Sequence, residues 1–166
     1  MSRHNNGGQV WSYSSNDGGS AICSDGKYVW YYSESGGNPD KLFRHLFTDG
    51  SSVDSVAVGA TDEKEFWNTA FLYKNYIYIV IYGQNGSSPY TNRIQVAKIN
   101  AYAMTLTSVT TLWTDTQDYD SGPENIPNMS YWFRTCIMPY SDGVIYIGQL
   151  DGDSYKFYPL VDVNAL

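Results

Sequence analysis

Short runs of β-branched and aromatic residues, each bounded by an Asp-Gly or Asn-Gly pair, recur along this chain. The runs include Tyr28–Tyr32, Tyr76–Tyr82 and Val144–Ile147. The pairs are Asp25-Gly26, Asp49-Gly50, Asn85-Gly86, Asp142-Gly143 and Asp151-Gly152. Such pairs supply the left-handed backbone that tight hairpins need, and the runs between them have strand composition. No long segment carries an apolar 3.6-residue period with caps at both ends. The best helical candidate is a short acidic turn over Thr61–Phe66. The pattern predicts an all-β protein of antiparallel sheets.

The pieces fall into repeats of about 40–50 residues, over residues 20–59, 67–114 and 130–163 of a single β domain spanning 1–166. Each repeat has a small apolar strand, a tight turn, an aromatic strand, a wider loop, then a third and a fourth strand. In the first repeat these are Ala21–Cys23, Tyr28–Tyr32, a loop over Ser33–Asp40, Leu42–Phe47 and Val53–Val58. In the second they are Ala70–Leu72, the Lys74-Asn75 turn, Tyr76–Tyr82, a loop over Gly83–Asn92, Arg93–Ile99 and Leu106–Trp113. The third has Thr135–Met138, Val144–Gly148 and Tyr155–Leu160, and no fourth strand. An acidic insertion, 115–129, separates the second from the third. An additional strand precedes the first repeat at 9–14.

In period and strand order the chain resembles a β-propeller of the kelch or WD40 type, four strands to a blade. It has neither the Trp-Asp dipeptide of one nor the Gly-Gly, Tyr and Trp pattern of the other. The resemblance implies three blade-like sheets, the last completed by the N-terminal strand Gln9, Val10, Trp11, Ser12 and Tyr13 lying against 154–161. Propellers have about 4–8 blades, so the expected assembly is two copies joined head to tail, or one copy inside a larger complex. A β-sandwich is the alternative architecture.

Charge narrows the partners. Ten Lys and Arg against 17 Asp and Glu leave a formal net charge of −7, which argues against nucleic acid or an anionic membrane surface. Charged residues make up 16% of the chain, below the roughly 25% of an average domain. No apolar stretch reaches the roughly 20 residues of a membrane-spanning helix, and the first residues carry no secretory signal. The expected location is a virion or the cytoplasm. Cys23 and Cys136 each sit in an apolar run and read as buried thiols rather than a bridge.

No catalytic constellation is legible. His45 follows Arg44 inside a strand pattern and reads as a satisfied strand histidine, and no serine or cysteine lies in a nucleophile motif. Asp115, Asp118, Asp120 and Glu124 cluster in the insertion, but their spacing is not that of a calcium loop. No metal or cofactor is expected. Aromatics are 16% of the chain, with 16 Tyr and 5 Trp. Most should fill space between strands. Tyr90 and Tyr119, in polar loops, and Trp113 are the candidates for stacking on a sugar ring.

The chain is therefore expected to be non-enzymatic, a structural or interaction subunit of a larger assembly built from other protein chains. Its Tyr-, Gly- and Asn-rich composition resembles that of bacteriophage virion and tail proteins. The alternative expectation is a lectin-like module that binds glycans as an oligomeric propeller.

Overall fold

A computed structural model describes residues 2–5, 8–12, 22–35, 38–58, 64–84, 89–117, 136–139, 142–151 and 154–166. The described residues are mostly strand, arranged in antiparallel sheets. β1 (Ser2–Asn5) and β2 (Gly8–Ser12) form a hairpin. β3 (Ile22–Ser24), β4 (Tyr28–Ser35), β5 (Asn38–Leu46) and β6 (Ser52–Ala57) form a sheet in sequence order. So do β7 (Lys64–Tyr73), β8 (Tyr76–Gln84), β9 (Tyr90–Asn100) and β10 (Thr105–Gln117). β11 (Cys136–Pro139), β12 (Val144–Asp151) and β13 (Ser154–Asp162) make a three-stranded sheet, followed by a 3-10 turn at Val163–Ala165. The all-β, antiparallel expectation is met.

One local device recurs at the turns. Asp25 Oδ1 accepts from the amides of Lys27 (2.9 Å) and Tyr28 (2.8 Å), and Gly26 takes φ of 88°. Asp49 accepts from the Ser51 amide at 2.9 Å beside Gly50 at φ 74°. Asp142 accepts from the Val144 amide at 3.0 Å beside Gly143 at φ 92°. The carboxylate takes the amides that the reversing chain leaves unpaired, and glycine takes the positive φ. The Lys74-Asn75 turn does without glycine, and Lys74 adopts φ of 55°.

The chain divides into two compact units, one of residues 1–60, 68–79 and 97–109 and the other of 61–67, 80–96 and 110–166. The core of the first includes Trp30, Tyr32, Leu42, Ile77, Ile79 and Ile99. The core of the second includes Val80, Ile81, Ile94, Val96, Ile145 and Val163. Neighbouring residues Val29 to Tyr32 in β4, and Ile77 to Ile81 in β8, are all buried. Both faces of these inner strands are covered, so their sequences are continuous apolar runs rather than alternations. β6 alternates exposed and half-buried residues, as an edge strand with one covered face should.

Four expectations are corrected. Lys64, Glu65 and Phe66 belong to β7 rather than to a helical turn, because Phe66 and Trp67 extend the strand composition backwards. The wide loops are short: β4 runs to Ser35 and β5 starts at Asn38, while β8 runs to Gln84 and β9 starts at Tyr90. Asp115, Thr116 and Gln117 of the acidic insertion continue β10, the strand beside β9 in its sheet. Within the chain the N-terminal strand pairs with β1, not with 154–161. Trp11 lies opposite Arg3 and Ser12 opposite Ser2, a partner that the nearby chain reaches at little loop-closure cost.

Candidate functional site

Arg44 lies in β5, between Phe43 and His45, and is 9% exposed. A guanidinium this deep requires partners for its donors. Its Nε and Nη2 donate to the two carboxylate oxygens of Asp54 at 2.9 and 2.6 Å, across the β5–β6 pair. Its Nη1 donates to the carbonyl of Tyr102 at 2.9 Å and reaches that of Ala101 at 3.4 Å. The cation also lies over the Tyr28 ring, 4.9 Å from its centroid.

Trp30, wholly buried in β4, donates its indole Nε1–H to the Ala101 carbonyl at 3.2 Å. The Tyr102 ring meets Trp30 edge-on, centroids 6.0 Å apart at 81°. The Tyr102 hydroxyl donates to Asp25 Oδ2 at 3.1 Å. The turn from β9 to β10 is itself organised by Asn100, whose Oδ1 accepts from the amides of Tyr102 and Ala103. The first sheet thus clasps this turn at three points, through Trp30, Arg44 and Asp25. All of these residues lie in the first compact unit.

The electrostatics follow from the contacts. Partial burial raises the Asp25 carboxyl, but hydrogen bonds from the Tyr28 and Lys27 amides and the Tyr102 hydroxyl outweigh it, leaving the group below its ordinary value. Burial, then the bond to Asp25, pushes the Tyr102 hydroxyl up. Burial, with Asp25 nearby, pushes the Cys23 thiol up to about 12. A thiol held there is almost wholly protonated at neutral pH and is a poor nucleophile or metal ligand. His45 is buried, and its Nδ1 lies 3.0 Å from the Gly50 carbonyl. A carbonyl only accepts, so Nδ1 carries the proton and the ring fastens the Asp49-Gly50 turn.

The clasp holds a polypeptide turn and engages all three nitrogens of its central cation. Among the described residues, no three His, Cys, Asp or Glu side chains converge as a metal site.

The residues singled out from sequence fall elsewhere. Tyr90 is the first residue of β9 and Trp113 lies toward the far end of β10; both are half-buried. Antiparallel pairing brings them to the same end of two neighbouring strands. Tyr119, Tyr13, Asp118, Asp120 and Glu124 lie outside the described residues. Sequence reading passed over the clasp, although Arg44, set among Leu42, Phe43 and Leu46, signalled a buried charge in need of partners. No family model matches the chain, and no curated protein matches it in sequence.

Proposed function

We propose that this chain is a non-enzymatic subunit of a larger protein assembly, in which propeller-like blades are completed by strands from neighbouring chains. One observation carries the reading. Two sheets are four-stranded meanders in sequence order, the third has three strands among the described residues, and β1 and β2 stand as a two-stranded sheet apart from it. A strand donated from another chain would bring the third sheet to the same form, and strand addition is a common mode of subunit joining. The low charge and Tyr-, Gly- and Asn-rich composition support a virion subunit, such as a phage tail component.

The test is removal of residues 1–14, with molar mass followed by light scattering across concentration. The assembly reading expects a multimeric full-length chain and a truncated chain that loses its mass or aggregates. An unchanged mass and melting temperature after truncation would refute donation of this strand.

A glycan-binding module is the second reading, favoured by the placement of Tyr90 and Trp113 at one end of adjacent strands. It expects a panel of oligosaccharides to include one that perturbs tryptophan fluorescence in the full chain but not in Trp113→Phe. A panel with no such sugar removes it.

A further inference from the structure

β10 is an edge strand with the features that natural edges avoid. It is 13 residues long and lies at the outside of its sheet. From Thr105 to Thr114 it reads Thr-Leu-Thr-Ser-Val-Thr-Thr-Leu-Trp-Thr, without a charge, a proline or a glycine. Other described edges are blunted. β7 opens on Lys64 and Glu65, β6 is six residues long and carries Asp54, β11 is four residues long and ends on Pro139, and β13 holds Lys156 and Pro159. Short length, charge and proline are the usual guards against edge pairing. β10 has none of them over this stretch, and its Leu106 is 38% exposed, one of the exposed large apolar side chains of the described residues.

We propose that β10 pairs antiparallel with β10 of a second copy of this chain, joining two four-stranded sheets into one. The occupant follows from the sequence of the strand. Two antiparallel copies related by a two-fold axis normal to the sheet must place one residue opposite itself, because paired residues share a face and faces alternate along each strand. Centred on Val109, the segment Leu106–Leu112 is complementary to itself. Leu106 faces the partner's Leu112, Thr107 faces the partner's Thr111, and Ser108 faces the partner's Thr110. Aliphatic thus meets aliphatic and hydroxyl meets hydroxyl, the pairs that stabilise antiparallel ladders. Exposed Leu106 gains an apolar neighbour. Charge fits as well. A chain of net charge −7 repels its own copy, but no ionisable group lies in the paired stretch, and the two copies of Asp115 fall at opposite ends of the ladder.

This interface is distinct from the N-terminal strand donation proposed above, and one experiment separates them. Val109→Cys and Thr107→Cys are made in the full chain and oxidised under mild conditions, beside the unmodified chain. In the proposed register, Cys at 109 faces its own symmetry mate. Cys at 107 lies four residues from its mate, about 13 Å at the rise of a strand, too far for a disulfide. The expected result is that Val109→Cys becomes mostly covalent dimer, at least about tenfold more than Thr107→Cys. The unmodified chain should be a dimer or a larger multimer by light scattering, and a dimer should remain when residues 1–14 are removed. A monomeric unmodified chain, or equal cross-linking at both positions, overturns the pairing. A dimer lost on N-terminal truncation, with no preference for position 109, overturns it in favour of strand donation.

Discussion

Arg44 is a charge placed where the strand pattern called for an apolar residue, and its surroundings show what that placement accomplishes. The fork of the guanidinium binds both oxygens of Asp54 while its remaining nitrogen holds the Ala101–Tyr102 carbonyls. Arg44→Gln leaves Asp54 without its cation and two carbonyls with poorer donors. The expected loss is about 2–3 kcal/mol, below the range for a wholly buried pair because Asp54 is 37% exposed; urea unfolding at neutral pH measures it. Asp25 carries the pH dependence of the same region. Its folded pKa lies below the unfolded value, so the unfolded chain binds the proton more readily. Its contribution is therefore present above about pH 4 and is lost as the pH falls through the lower folded value. Tyr102→Phe removes one of the bonds that lower it. Titration of the Asp25 carboxyl by NMR should then show a midpoint closer to the ordinary value. Cys23, raised to about 12 by burial, should react with a disulfide reagent at pH 8 at least about tenfold more slowly in the folded Cys136→Ser variant than in the same variant unfolded in urea.

At the scale of elements, the turns were the most legible feature and the strand ends the least. Asp-Gly pairs announce themselves because their chemistry is local: the carboxylate takes amides two or three residues ahead and glycine takes the positive φ. Gly26 isolates the second part of that device. A Cβ added there meets nothing within 4 Å, so Gly26→Ala tests backbone strain without a packing clash. The expected cost is about 1–2 kcal/mol in thermal unfolding, with Gly26→Asn recovering part of it. Strand ends depend on the neighbouring strand, which composition does not display. Ser35 and Asn38 read as loop in isolation, yet they face each other across the β4–β5 hairpin. Pro159 also makes sense only in place: it sits in β13, on the edge of its sheet and beside a register shift, where a missing amide is tolerated.

For the whole molecule, the grouping of strands into successive meanders was readable because each sheet is built from neighbours in sequence. The clasp was not, because its partners lie 57, 58, 71 and 77 residues apart and no local pattern links Asp25 or Trp30 to Tyr102. The same contrast between near and far contacts governs how the chain reaches its fold. Hairpins between consecutive strands close short loops and form early, whereas contacts of long sequence separation repay their loop entropy only after the sheets exist. The Trp30–Ala101 and Asp25–Tyr102 bonds therefore belong to the last steps. In stopped-flow measurements, Tyr102→Phe should leave the refolding rate nearly unchanged and place its effect on unfolding. The clasp is a latch on the exit from the native state: it lengthens the lifetime of the folded chain without hastening its formation.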